Sequence, residues 1–270
     1  SGIALPQGEA AAPSGVDNYA LELRDLPTVR SALTKIQPEY IFHLAGLVTT
    51  SPDQNRVLPM LEHNLVASVN LFNVASEIGC HRFIHTGTSE EKRTVGQASA
   101  PSSPYAASKR AATDYAMMFA ELYELPVTVV RPYLAFGPRQ PADKLIPYTI
   151  RCLLAGDRPS LNNPDIEFEY LYCDDVVRAF LTAALAQDAI GRIMDLHTGE
   201  KLSVRQIVQV LEEVIKNRTG AKEKPKTRPI DDPAKHSIDG WKPIWSPRSA
   251  LAETVEWYKS DRERSVGTAK

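Results

Sequence analysis

The sequence predicts an α/β fold, a parallel sheet covered by helices on both faces, and three observations point to it. Short apolar strands alternate with segments of helical spacing from Val16 to Leu196. The turns His43-Leu-Ala-Gly46, Thr86-Gly-Thr-Ser-Glu90 and Arg131-Pro-Tyr-Leu-Ala-Phe-Gly137 each follow such a strand, at the carboxyl ends where open parallel sheets hold ligands. After Pro138 the pattern changes, which marks a second, smaller region.

Residues 1–15 are rich in Gly, Pro, Ala and Ser without periodicity and read as a loop. Asn18-Tyr-Ala-Leu-Glu-Leu23 alternates as a short strand, and Leu26 to Ile36 has helical spacing with Asp25 in the N-cap position. Pro38 stops that helix, and Tyr40-Ile-Phe-His-Leu-Ala45 reads as a buried strand. A long helix is expected from about Leu58 to Ile78, closed by Gly79. Strand Arg82 to Thr86, a helix through Tyr105 to Tyr123, and strand Val127 to Arg131 follow. Beyond Pro138 come a helix from Ile146 to Ala155, a strand from Glu167 to Cys173, and a helix from Val176 to Ala186 capped by Asp174-Asp175. Strand Ile193 to Leu196, a helix from Ser203 to Arg218, a polar loop over 219–240 and a helix from Ser249 to Lys259 complete the order.

With 270 residues, 43% hydrophobic and 24% charged, the chain has the composition of a globular protein with ample core. A net charge of −2 argues against nucleic acid or an anionic membrane as partner. No apolar run approaches a bilayer span and no secretory leader opens the sequence, so no membrane partner and a cytoplasmic location are expected. Cys80, Cys152 and Cys173 are too scattered for a disulfide frame or a metal site.

The chemistry centres on Ser102-Ser-Pro-Tyr-Ala-Ala-Ser-Lys-Arg110. Tyr105 and Lys109 stand four apart at the start of a helix, one turn from each other on one face. A nearby ammonium stabilises a phenolate, so Lys109 is expected to lower the Tyr105 pKa and make the phenol a usable proton carrier. His43, in an apolar strand, reads as a core histidine rather than a catalyst.

Taken in order, these stretches resemble the extended short-chain dehydrogenase/reductase family, in its branch of nucleotide-sugar epimerases, dehydratases and reductases. The resemblance runs collinearly from about Val16 to Tyr258. It is carried by Asp25 after a strand, His43-Leu-Ala-Gly46 for the family's His-Leu-Ala-Ala turn, Asn64, Thr88-Ser89-Glu90 and Tyr105 with Lys109. Arg131-Pro132 through Gly137-Pro138, Tyr170 to Asp175, Arg228-Pro229 and Gly240-Trp241-Lys242-Pro243 carry it further. The resemblance implies a Rossmann-like, doubly wound sheet in residues 1–138 with 167–186, and a substrate-binding region in 139–166 and 187–270. It implies NAD or NADP as cofactor, a nucleoside-diphosphate sugar as substrate, no metal, and a homodimer through helices 58–78 and 105–123, with Met117, Met118 and Leu122 as candidate interface positions.

In the roles so implied, Asp25 and Leu26 would meet the adenine end of the cofactor, and Leu44, Ala45 and Gly46 its ribose and phosphate. Lys109 would hold the nicotinamide ribose, with Tyr105 and Pro132 beside the ring. Tyr105 would be the acid/base, Thr88 would grip the reacting oxygen, and Glu90 would be a second base. Ser89, Leu134 and Arg228 would face the substrate. Glu90 suits a dehydratase, whose elimination needs a base beside the transient ketone. Gly87-Thr-Ser-Glu-Glu91 fits the Gly-Ser-Ser-Glu-Glu stretch of some 4-ketosugar reductases equally, so epimerase, dehydratase and reductase remain open. A non-catalytic binder of nucleotide sugar or of a partner, and a purely structural subunit, are the competing classes.

The sequence also departs from the family. No Gly-x-x-Gly-x-x-Gly turn precedes Val16, since Gly2, Gly8 and Gly15 are separated by prolines. The sheet is therefore expected without its N-terminal strand, helix and strand, leaving an apolar edge that a further segment or a partner chain would cover. Lys92-Arg93 replaces the family's Tyr-Gly, Leu134 a substrate-contacting asparagine, and Phe168 a common arginine.

Overall fold

The computed structural model describes residues 2–4, 15–96, 99–217 and 238–267. In chain order the elements begin with β1 (Gly2–Ala4), β2 (Asn18–Ala20), α1 (Leu26–Ile36) and β3 (Tyr40–His43). A helix then runs as α2 (Val57–Met60), a π-helical turn over Leu61–Val66, and α3 (Ala67–Ile78). Next are β4 (Arg82–Thr86), a 3₁₀ turn over Ser89–Lys92, β5 (Thr94–Val95), β6 (Ala100–Pro101), α4 (Pro104–Tyr123) and β7 (Val127–Pro132). Then follow β8 (Leu134–Phe136), α5 (Leu145–Ala155), β9 (Glu167–Phe168), β10 (Tyr170–Tyr172) and α6 (Cys173–Leu185). The chain closes with β11 (Ile193–Leu196), β12 (Leu202–Ser203), α7 (Val204–Asn217) and α8 (Pro247–Gly267).

The chain packs as two units, one of Ser1–Arg131, Phe180–Asp195 and Asp232–Asp239, the other of Pro132–Ala179, Leu196–Asp231 and Gly240–Lys270. The first carries a four-stranded sheet in the order β11-β7-β4-β3. β3 and β4 pair in parallel from Tyr40↔Arg82 to His43↔His85, and β4 and β7 from Phe83↔Val127 to Thr86↔Val130. Parallel registry of this kind brings the exits of β3, β4 and β7 to one end of the sheet. Val29 and Leu33 of α1, Leu71, Phe72 and Ala75 of α3, and Ala116 and Phe119 of α4 pack with Phe83, Val127 and Val129 of the sheet in a single core. Local signals place these helices well. Pro27 opens α1, Ser103 Oγ accepts the Ala106 N–H at the head of α4, and Gly79 ends α3 at φ 81°.

β3 is the edge of this sheet among the described residues, and Tyr40, Phe42 and Leu44 are exposed along it. A cavity of about 520 Å³ runs beside it, bordered by Leu23, Leu33, Ile36 and Leu71. The apolar edge expected from the sequence is therefore present. Residues 1–15, by contrast, were expected as loop throughout, yet Gly2–Ala4 pairs in parallel with Asn18–Ala20. So short a strand exists only through its partner and has no signal of its own.

The second unit holds a separate core, in which Ile146 and Ile150 of α5, Tyr170 and Tyr172 of β10, Ile207 and Leu211 of α7, and Leu251 and Val255 of α8 meet. The strand expected over Glu167 to Cys173 divides at Glu169. β10 pairs in parallel with β8, whereas β9 pairs antiparallel with β12. The Glu169 carboxylate turns aside to accept the N–H groups of Thr198 and Gly199. Asp175 does not cap α6 as expected. It is buried in the first turn and accepts the N–H groups of Ile244 and Trp245. The packing boundaries at 131, 179 and 195 also differ from those read at 138, 166 and 186.

Candidate active site

The exits of β3 and β4, the 3₁₀ turn after β4 and the head of α4 carry most of the predicted residues. Tyr105 and Lys109 occupy the first two turns of α4 and are both buried, at 6% and 3% exposure. The Thr88 hydroxyl lies close enough to the Tyr105 phenol to favour its ionised form. Lys109 Nζ donates to the carbonyl oxygen of Thr86 at 2.8 Å, and Thr86 Oγ1 in turn donates to the carbonyl of His43 at 2.8 Å. The exits of β3 and β4 and the first helical turns of α4 are thus tied in one network around an ammonium.

The acidity of the pair differs from the expectation. Burial pushes the Tyr105 phenol above its ordinary value, and the carboxylates of Glu91 and Glu90 add to the rise, against the Thr88 hydroxyl. Burial also pulls the Lys109 ammonium down, to about 8, against the charge of Glu91. Lys109 gives its bond to a backbone carbonyl, so desolvation outweighs it and the phenol is harder to ionise. Tyr105 accordingly stands protonated at neutral pH.

Asn64 contributes more than its sequence context suggested. It lies fully buried in the π-helical turn, where its Oδ1 accepts the Leu47 N–H at 2.8 Å and its Nδ2 donates to the Leu47 carbonyl at 3.0 Å and to Ser108 Oγ at 3.1 Å. These bonds pin the loop after β3 to α4. Gly46 is required there, because a Cβ would lie 2.8 Å from Asn64 Oδ1. Asn64→Ala is expected to destabilise the fold by about 1 to 3 kcal/mol, since the Leu47 amide and carbonyl lose their partner, as a urea titration would measure. A loss below about 0.5 kcal/mol would mean that the loop holds its position without this side chain.

Of the remaining predicted residues, Leu44, Ala45 and Gly46 are exposed at the β3 exit. Asp25 and Leu26 stand at the head of α1, with Asp25 exposed and its carboxylate accepting from the Thr28 hydroxyl. Ser89 and Glu90 lie in the 3₁₀ turn, and both oxygens of Glu90 are bonded by Arg93 Nη1, at 3.1 and 3.2 Å. Pro132 closes β7, and Leu134 is exposed at the start of β8. Arg228 lies outside the described residues. His43 is a core residue as read, with its Nε2 3.0 Å from Ser68 Oγ and its ring 5.6 Å from that of His85. Among the described residues no His, Cys, Asp and Glu cluster could hold a metal ion, and no helix is long and apolar enough to cross a membrane.

Glu91 is the site residue that sequence reasoning left aside. It is buried, its Oε1 accepts the Thr88 N–H at 2.7 Å, and Arg131 Nε lies 2.8 Å from its Oε2. Thr88-Ser-Glu-Glu91 has the spacing of a capping box, the signal that would have found it.

Residues 4–196 match the NAD dependent epimerase/dehydratase family. The chain belongs to this family. It is 29% identical over 244 residues to dTDP-D-glucose 4,6-dehydratase of Mus musculus, a match covering 83% of this chain and 68% of the mouse protein. It is 27% identical over 254 residues to UDP-glucose 4-epimerase of Mycolicibacterium smegmatis, covering 84% of this chain and 78% of the relative. Among solved structures, UDP-glucose 4-epimerase from Thermotoga maritima, determined with UDP-glucose, superposes with a TM-score of 0.80 at 23% identity, covering 96% of this chain and 90% of that one. The fold is thus the Rossmann-like α/β fold of these epimerases and dehydratases, and the chain is an enzyme of the epimerase/dehydratase type.

Proposed function

We propose that this family member catalyses NAD(P)-dependent epimerisation or dehydration of a nucleoside-diphosphate sugar, with Tyr105 as acid/base, Lys109 beside it and Thr88 on the reacting oxygen. The observation that carries this reading is the buried Lys109 ammonium, bonded to the Thr86 carbonyl one helical turn from the buried Tyr105, whose phenol feels the Thr88 hydroxyl. A phenol there can donate its proton to a carbonyl oxygen, and as the phenolate it can take a proton from a hydroxyl, which suits a substrate oxygen that alternates between the two.

The residues present fit the nicotinamide-ribose end of a dinucleotide. Among the described residues the one hydrogen-bond acceptor of Lys109 Nζ is the Thr86 carbonyl, which leaves N–H groups for ribose hydroxyls next to the Gly46 backbone. Asp25 offers an exposed carboxylate to the adenine end. No glycine-rich strand-to-helix turn for the pyrophosphate occurs among the described residues. When bound, NAD or NADP would supply hydride acceptance and return. Tyr105, once ionised, would take the hydroxyl proton on its phenolate oxygen and later give it back, while Thr88 holds the oxygen and burial excludes water. Ser89, on the turn after β4, would face the sugar.

A 4-ketosugar reductase is the second reading, favoured over dehydration by the Arg93 bonds to Glu90, which occupy the proposed second base. Glu90→Gln is expected to lower a dehydratase by about 100-fold or more, and to leave an epimerase or 4-ketosugar reductase within a few-fold. The decisive experiment offers UDP-glucose and dTDP-glucose to the full chain with NAD or NADP. Chromatography would separate the 4-epimer from the 4-keto-6-deoxy product, and mass spectrometry would look for retained dinucleotide. Neither turnover nor retained nucleotide would return the chain to the non-catalytic class.

We also place the protein in the cytoplasm, on its three unpaired cysteines, and infer a homodimer through α2, α3 and α4. Met117 and Met118 pack partly against the core, whereas Leu58, Leu61, Tyr115, Leu122 and Tyr123 are exposed and supply the apolar contact. A monomeric mass at micromolar concentration would refute the dimer.

A further inference from the structure

We infer that Glu91, held by Arg131, is a positioning residue for the proposed reaction: its carboxylate grips the Thr88 backbone so that the Thr88 hydroxyl meets the Tyr105 phenol. The inference rests on the reading of Tyr105 and Thr88 as the reacting pair, and it adds a residue to which that reading gives no role.

Glu91 is 5% exposed, which demands compensation for a carboxylate. Each oxygen has a separate partner. Oε1 accepts the Thr88 N–H at 2.7 Å, and Oε2 forms an ion pair with Arg131 Nε at 2.8 Å. Arg131, at the end of β7, is backed by Asp195 of β11 at 3.8 Å, and Asp195 is bonded by Lys92 at 2.7 Å. A chain of alternating charges therefore runs from solvent through two strands to the Thr88 amide.

Gly87 makes room for it. A Cβ there would lie 2.6 Å from Glu91 Oε1 and 2.8 Å from Arg131 Cγ, so the pair fills the space a side chain would need. Thr88 itself is extended at φ −159°, and its Oγ1 caps the Glu90 N–H at 3.3 Å, a long bond that cannot fix the hydroxyl alone. The short bond from Glu91 to the Thr88 N–H does that. A merely structural ion pair could sit anywhere under the turn, whereas this one grips the backbone of Thr88, whose hydroxyl bears on the Tyr105 phenol.

The charge reaches further. Glu91 faces Arg131 from β7, and Thr113 and Lys109 from α4, with Glu90 on its own turn and Asp195 behind Arg131. Its negative charge favours the protonated forms of both Tyr105 and Lys109.

The test follows the Tyr105 ring-carbon signal by NMR in the full chain labelled at tyrosine, assigned by its loss in Tyr105→Phe. Glu91→Met is expected to move that signal as Thr88→Val does, and to move it no further in a Thr88→Val background. Should Glu91→Met fail to fold, Gly87→Ala, which displaces the carboxylate, is expected to give the same shift. Glu91→Gln keeps an acceptor for the Thr88 N–H, so the neutral-pH signal should stay near that of the wild type while Tyr105 titrates at lower pH. In turnover, Glu91→Met should lower kcat by about 10-fold with KM little changed, and Glu91→Gln should restore it to within a few-fold. A Tyr105 signal indifferent to both Glu91→Met and Gly87→Ala, or a Glu91→Gln variant as impaired as Glu91→Met, would overturn the inference. Because the NMR arm needs no substrate, a moving signal in a chain that turns over no nucleotide sugar would refute the proposed function and keep this one.

Discussion

Tyr105→Phe is expected to reduce turnover of the nucleotide sugar by about 100- to 10,000-fold while leaving the thermal midpoint within a few degrees of the parent. The substitution removes one oxygen from a ring that is almost wholly buried at the head of α4, so its packing is kept. What disappears is the phenol oxygen, the proposed proton carrier, near the Thr88 hydroxyl. Tyr105 is held above its ordinary pKa, so the direction that requires a phenolate should quicken as pH rises, until Lys109 begins to lose its charge near 8. Steady-state kinetics against pH, with retained nucleotide measured in parallel, would check both points. Activity in Tyr105→Phe within a few-fold of the parent would remove the phenol from the chemistry.

The second large effect concerns stability in acid. His43 and His85 are buried neighbours on β3 and β4, and His85 also packs 5.2 Å from the ring of Phe72. Burial, with the Lys109 charge adding, pulls His43 down to about 3 and His85 well below its usual range. Both imidazoles are therefore neutral in the fold and gain a proton on unfolding below about pH 6.5. The unfolded state binds more protons in that window, so stability is fully present above pH 6.5 and falls as pH drops toward 3. Each histidine contributes a slope of about 1.4 kcal/mol per pH unit, and by pH 5 the two together remove roughly 4 kcal/mol. Urea titrations at pH 7.5 and 5 would measure this. His85→Phe, which suits the aromatic surroundings, should roughly halve the slope; an unchanged slope would assign the acid sensitivity to other groups.

Where an element is set by its own residues, the sequence was enough. Helix α1 and strand β4 have the ends expected of them, because Pro27, Pro38 and the apolar run act locally. What was not legible depends on residues far apart. The division at Glu169 follows from β9 and β10 choosing different partners, and the burial of Asp175 follows from backbone amides about 70 positions away. The site divides in the same way. Tyr105, Lys109 and Thr88 were visible as types at a spacing, but the direction of the Tyr105 shift was not, since desolvation is a property of the packed structure. Glu90 drew attention as the nearer carboxylate, although the turn sends it to Arg93 and sends Glu91 inward.

The π-helical turn at Leu61–Val66 has a counting consequence. A π-turn accommodates one residue more than the α-helix around it, so deleting a single residue between Asn64 and α3 should restore regular winding and turn Asn64 off its present bearing relative to α3. Leu71, Phe72 and Ala75 would keep their seats in the core, but the amide would swing away from Leu47 and Ser108. A one-residue deletion at Leu65 would thus yield a folded protein whose loop after β3 has come unmoored, separating the integrity of the helix from the seating of that loop.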